Sequence, residues 1–209
     1  MTTRPGTLIL DFGGVLTTDL WASIRACARR EGLPEDFLLD LLLTDSDIHP
    51  LFIMLERGEV SQSDFETRLA AAAGLKADGL LGRMCADLRP DDAMLTAVAT
   101  LRSSGVLIGI LSNTWGTGYF NPYEGYNLEE RADAIVLSDQ VRLRKPEPEI
   151  FRHILEILGT EARSSVFVDD VASHLTNAAT MGITVIQHVE TRNTLTQLES
   201  IFGIDLVKA

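Results

Sequence analysis

The sequence is short of cysteine, of positive charge and of long apolar runs, and each shortage excludes something. Two cysteines, Cys27 and Cys85, stand in 209 residues, too few for a disulfide framework and without the spacing of a zinc site. Both read as buried apolar residues in a reducing compartment. The opening MTTRPGTLIL lacks a secretory-signal layout because Asp11 interrupts its apolar stretch, so a cytoplasmic location is expected. The longest apolar runs, such as VLIGIL, fall far short of the roughly 20 residues that span a bilayer, and no membrane partner is expected. Eighteen Lys and Arg face thirty Asp and Glu, a formal charge of −12. Such a surface repels a polyphosphate backbone, so nucleic acid is not an expected partner. An anionic small molecule would need a local site that overrides this field. With 45% hydrophobic and 23% charged residues the chain is neither disordered nor collagen-like. Its length suits one domain, or one domain carrying an insertion, and says nothing of oligomeric state.

What is present is a change of periodicity. Residues 7 to 11 (TLILD) form a short apolar run ended by an FGG turn, the pattern of a buried strand that delivers Asp11 to its C-terminal edge. From about 18 to 88 the pattern is helical: DLWASIRACARR places Trp21, Ile24 and Ala28 at helical spacing, PEDFLLDLLL follows, and SQSDFETRLAAAAG opens on Ser61 with Asp64 three residues on and stops at Gly74. After about residue 90, helices alternate with the short apolar runs VLIGILS, AIVLS, SVFVDD and ITVIQ. Strands separated by helices imply a parallel sheet covered on both faces, an α/β doubly wound core. Residues 1–17 and 89–209 form that core in this reading, and 18–88 form an all-helical insertion over the carboxyl edge of the sheet, where ligands bind in such folds.

Four separated segments reach that edge: Asp11, Ser112 with Asn113, Lys145 at a helix head, and Asp169 with Asp170. Carboxylates, a hydroxyl, an amide and one ammonium suit Mg²⁺ and phosphate. Mg²⁺ is held by one or two carboxylates plus water and substrate phosphate, a demand that Asp11 with Asp169 or Asp170 meets. Asp11 is also placed to attack phosphorus. Arg144 beside Lys145 is expected to be solvated. His49, His153 and His188 lack a second ligand at metal spacing and are expected to be exposed or satisfied in the core. The aromatics of TWGTGYFNPYEGYN (Trp115, Tyr119, Phe120, Tyr123, Tyr126) either wall a substrate pocket or form a satellite cluster against the helical insertion.

In this order, DFGGVL, LSNT, RKPEPEIF and VFVDD resemble the four motifs of the haloacid dehalogenase superfamily, over nearly the whole chain. The branch most resembled is that of the N-terminal phosphatase domain of soluble epoxide hydrolase and nearby bacterial sugar-phosphate phosphatases; ERGEVSQSDF is similar to its helical cap. The resemblance implies a Mg²⁺-dependent phosphatase of a small phosphorylated metabolite, working through an aspartyl-phosphate. Asp11 and Lys145 would be catalytic, and Ser112, Asn113, Trp115 and His174 would bind phosphate or substrate. Asp11, Gly13, Asp169 and Asp170 would hold the metal, Gly13 through its carbonyl. Two departures stand out. Gly13 occupies the place of the usual acid/base Asp, and it also raises the prospect of a positive φ at that position. His174 replaces Asn or Asp, and either turns inward to orient Lys145 or caps its helix. Attack on carbon without a metal, or ligand binding without turnover, are the alternatives.

Overall fold

In the computed structural model, which describes residues 5–206, the apolar runs become β1 (Thr7–Leu10), β2 (Leu107–Ser112), β3 (Ala134–Leu137), β4 (Ser165–Asp169) and β5 (Thr184–Gln187). Residues 1–4 of the MTTRPGTLIL opening, and 207–209, lie outside the described residues. All pairings are parallel, in the order β3-β2-β1-β4-β5. The order reverses between β1 and β4, so the crevice for a ligand opens where these two strands end.

Side chains alternate across the sheet with period two, and each face therefore needs its own cover. Leu8, Leu10, Ile108, Ile110, Val166 and Val168 form one apolar cluster with residues of α6 (Asp92–Ser103) and α11 (Thr191–Phe202). Ile9, Leu111 and Phe167 form another with α9 (Pro148–Leu158) and α10 (Ala172–Thr180). A Cβ on Gly109 would lie 2.9 Å from Leu158 Cδ1 and 3.0 Å from Ile154 Cδ1, so any larger residue there would require these side chains of α9 to shift.

Between β1 and α6 the chain forms α1 (Leu20–Arg30), α2 (Phe37–Thr44), α3 (Ile48–Glu56), α4 (Gln62–Ala73) and α5 (Leu80–Met84). Their boundaries follow from local chemistry. Asp19 accepts from the N–H groups of Trp21 and Ala22, Ser61 accepts from that of Asp64, and Gly74 ends α4 in the left-handed region. These helices bury their own cluster, including Ile24, Leu38, Phe52, Phe65 and Met84, and Trp115 from the loop after β2 joins it. The two chain passages run side by side: Thr18 N donates to Arg89 O at 2.8 Å and Asp91 N to Leu16 O at 2.9 Å. Cys27 is buried and Cys85 half-buried, and burial pushes the Cys85 thiol up to about 12. The remaining helices, α7 (Leu128–Arg131) and α8 (Ser138–Val141), are one turn each, too short for periodicity to reveal. Among the described residues no helix is long and apolar enough to cross a membrane.

Candidate active site

The ladder between β1 and β4 runs one residue past β1, with Asp11 N donating to Val168 O at 2.9 Å. The chain then turns sharply. Phe12 N donates to Asp11 Oδ1 at 2.7 Å, Leu16 N to Phe12 O at 2.9 Å, and Gly14 N to Thr17 Oγ1 at 3.0 Å. The positive φ of this turn belongs to Gly14 (76°) and not to Gly13, which corrects the expectation for Gly13. A Cβ on Gly14 would lie 2.6 Å from Asp170 Oδ2, so the turn and the Asp170 carboxylate are in direct contact.

Lys145 is completely buried. Its Nζ lies 2.8 Å from Asp11 Oδ1 and 2.7 Å from Asp169 Oδ2. Asn113 fixes it through the main chain, accepting from Lys145 N at 2.8 Å and donating to Lys145 O at 3.1 Å. Asp169 Oδ1 accepts from Val171 N at 2.8 Å, and His174 Nδ1 lies 3.1 Å and 3.2 Å from the two carboxylate oxygens. His174 has turned inward, and it reaches Lys145 through Asp169.

Charge decides how these groups ionise. Burial pushes the Asp11 carboxyl up, and the Lys145 charge only partly opposes this. Burial disfavours charge on Lys145, but the carboxylates of Asp11 and Asp169 outweigh it and hold the ammonium above its ordinary value. Asp169 is also buried, yet Lys145 and the bond to His174 keep it well below the usual carboxylate range. Burial lowers His174. Asp170 has no ion pair among the described residues, and burial followed by repulsion from Asp169 pushes it up to about 6. Three carboxylates thus converge on one ammonium.

A cavity of about 260 Å³ opens onto Asp11, Gly13 and Asp170. Leu20, Trp21, Phe52 and Trp115 wall it, and Asn113 and His174 reach its rim. Ser112 is buried behind, where its Oγ accepts from Tyr123 O–H at 2.9 Å. The aromatic loop divides. Trp115 lines the cavity, Phe120 packs with the helical cluster, and Tyr123 and Tyr126 set their edges on Phe12 at 4.6 and 4.7 Å. Tyr119 is exposed.

Arg144 corrects another expectation. Far from being solvated, its side chain is 19% exposed and lines the cavity, with Nε and Nη2 each 2.7 Å from Oε2 of buried Glu56. His49 lines the cavity too, its Nδ1 2.7 Å from Leu42 O. His188 bonds Thr194 Oγ1 at 3.0 Å and, like His153, is not part of this cavity. Sequence reasoning missed Glu56, although it falls one helical turn after Phe52 on the apolar side of α3. It also missed Gln62, whose Nε2 donates to Trp115 O, Gly116 O and Phe120 O at 3.0, 3.1 and 2.8 Å and whose Oε1 accepts from Phe120 N at 3.2 Å. Nothing in the pattern around a glutamine at the start of α4 signals such a clamp.

Residues 83–188, half of the chain, match the family described as haloacid dehalogenase-like hydrolase. Bifunctional epoxide hydrolase 2 of Sus scrofa is 31% identical over 121 residues, 55% of this chain and 21% of that protein. The match therefore spans about a fifth of that relative. Sesquiterpene phosphatase astK of Aspergillus oryzae is 24% identical over 151 residues, 71% of this chain and 77% of that protein. Among solved structures, HAD family enzyme bt-2542 of Bacteroides thetaiotaomicron, in complex with magnesium and inorganic phosphate, superposes with a TM-score of 0.68 at 22% identity. That superposition covers 88% of this chain and 94% of the other, and shows the shared fold. The chain belongs to the haloacid dehalogenase-like hydrolases.

Proposed function

We propose that this hydrolase is a Mg²⁺-dependent phosphatase of a small phosphorylated metabolite, with Asp11 as nucleophile. The observation that carries the reading is the convergence of Asp11, Lys145, Asp169 and Asp170 where strand order reverses. The names of the sesquiterpene phosphatase and of the magnesium- and phosphate-bound neighbour agree with it.

The donor set fits a divalent cation. Asp170 is a largely buried carboxylate with no cationic partner among the described residues, in a pocket where negative charge exceeds positive, a costly arrangement without compensation. Asp11, Asp169 and His174 also offer ligand atoms within 4.8 Å of one another, but Lys145 Nζ already contacts both Asp11 and Asp169. A second cation there would be repelled, so Asp11, the Gly13 carbonyl and Asp170 are the better set, and Asp169 holds the lysine. When bound, Mg²⁺ would polarise the phosphoryl group and offset its charge.

Asp11 then attacks phosphorus: an Asp11 O–P bond forms, the ester O–P bond breaks, and the ester oxygen leaves with the electron pair. Lys145 offsets charge on the nucleophile and the transferring group. Asn113 positions Lys145, and the Ser112 hydroxyl, whose contact to Asn113 O is a long 3.4 Å, is available to donate to phosphate. Water then attacks the same phosphorus: its O–P bond forms, the Asp11 O–P bond breaks, the water proton is given up to solvent or phosphate, and Asp11 is restored as a carboxylate. Residues 18–88 act as a cap over this centre, with Trp115 completing the wall. Attack on carbon without a metal would leave Asp170 without a task.

Steady-state hydrolysis of an aryl phosphate tests the reading. Activity is expected with Mg²⁺, with loss on chelation and in Asp11→Asn; metal-independent turnover, or an active Asp11→Asn, would overturn it.

A further inference from the structure

One end of the cavity carries a polar corner that the chemistry at Asp11 does not use. Glu56 is 5% exposed, yet both contacts from Arg144 fall on its Oε2. Glu56 Oε1 and Arg144 Nη1 therefore have no hydrogen bond to protein among the described residues. His49 makes its one bond through Nδ1 to the Leu42 carbonyl, which can only accept, so Nδ1 carries the hydrogen and Nε2 is left without a protein partner among the described residues. All three residues line the cavity that holds Asp11 and Asp170. A buried ion pair stabilises a fold little, if at all, relative to an apolar pair of the same volume. Beside a ligand cavity it supplies fixed hydrogen-bonding atoms in a water-poor place.

We infer that Glu56, Arg144 and His49 form a specificity corner that selects phosphate monoesters whose remaining part is neutral and hydroxyl-bearing. The inference rests on the phosphatase reading for the phosphate end and on this geometry for the other end. A hydroxyl both donates and accepts, which matches an acceptor (Glu56 Oε1) beside a donor group (Arg144 Nη1), with His49 Nε2 as a further polar partner on the same cavity. An alkyl group would strip water from these atoms and return nothing, the situation in which polar sites discriminate most strongly. A second anionic group would meet the Glu56 carboxylate, while the charge of Arg144 is already matched by that same carboxylate. The cavity, at about 260 Å³, lies below the usual range for drug-sized ligands, which favours a body of a few carbons.

The test separates binding at the corner from turnover. In the Asp11→Asn protein with Mg²⁺, calorimetry measures the dissociation constants of glycerol 1-phosphate, propyl phosphate and 3-phosphoglycerate. Glycerol 1-phosphate should bind at least about tenfold more tightly than propyl phosphate, the worth of one or two well-made hydrogen bonds. Adding Glu56→Leu with Arg144→Met should bring that ratio close to one. Should this combination fail to fold, Glu56→Gln alone keeps a hydrogen-bonded partner for Arg144 while freeing its charge, and should shift relative affinity toward 3-phosphoglycerate by about tenfold. Equal binding of the glycerol and propyl esters, or ratios unmoved by the substitutions in a protein with native circular dichroism, would overturn the corner. A binding preference with no turnover by the unsubstituted chain would sink the phosphatase reading and leave the corner standing.

Discussion

Gly13→Asp tests the chemistry at its weakest point. In the proposed mechanism Gly13 stands where a carboxyl group would protonate the leaving oxygen and activate water, and glycine has no proton to exchange. The structure has room for the change. Gly13 lies outside the left-handed region, and a Cβ there would meet only Leu20, with Cδ2 at 3.6 Å and Cβ at 3.9 Å, both ordinary contacts. Backbone strain therefore does not oppose the substitution; charge does. The new carboxyl joins Asp11, Asp169 and Asp170 against the single Lys145, and like charges 4 Å apart cost about 4 kcal/mol at an effective dielectric of 20. Such repulsion raises the pKa of the introduced group, which helps it to act as an acid, while bound Mg²⁺ relieves the excess charge. A positioned acid contributes about 10² to 10⁴ in rate, or roughly 3 to 5 kcal/mol of barrier. Aryl leaving groups need little of this help and alkyl ones need most of it. Circular dichroism and Mg²⁺ affinity come first, followed by kcat on a matched aryl and alkyl phosphate. The alkyl-to-aryl ratio should rise by at least about tenfold. A folded, metal-binding Gly13→Asp protein with an unchanged ratio would refute the reasoning and move the proton to another group, such as His49, His174 or the substrate itself.

Two other substitutions probe the supports of the site. Lys145→Met leaves Asp11 and Asp169 buried without their shared cation; denaturation midpoints at neutral pH should report a loss of about 3 to 5 kcal/mol, recovered in part by Mg²⁺, together with loss of turnover. A variant as stable and as active as the parent would show that the site is misplaced. Gln62→Leu removes four hydrogen bonds that tie the loop carrying Trp115 to α4. It should raise KM several-fold with a smaller effect on kcat, because the wall moves and the reacting groups do not; an unchanged KM would show that the loop holds its place without the clamp.

How far the sequence discloses such a site depends on the range of the interaction involved. Asp169 and Asp170 were legible because two acids directly after a buried apolar strand are costly unless a cation compensates them, and Asp11 and Lys145 because their DFGGVL and RKPEPEIF settings, together with the other motifs, resemble a known set. That the sheet is covered on both faces followed from continuous apolar runs such as Leu8, Ile9 and Leu10, and the ends of α4 from Ser61 and Gly74. Pairings across the fold were not legible. Arg144 meets Glu56 from 88 positions away, and nothing local to either residue marks that bond, so Arg144 read as a solvated charge and Glu56 was not singled out. Gln62 escaped for the same reason, since its partners are main-chain groups of a loop whose path depends on the tertiary fold. The left-handed residue of the FGG turn was expected at Gly13 and is Gly14, a distinction that two adjacent glycines do not carry in sequence.

The central claim is that Asp11 becomes covalently phosphorylated. Acid quench during turnover of an aryl phosphate, proteolysis and mass spectrometry of the peptide holding Asp11 test it most directly. With no side-chain base at Gly13 to activate water, breakdown of the intermediate should be slow, so a phosphoryl group should accumulate on that peptide and be absent from Asp11→Asn. Rapid turnover with no label on Asp11 at any quench time, alongside an Asp11→Asn protein that still hydrolyses the ester, would contradict the account.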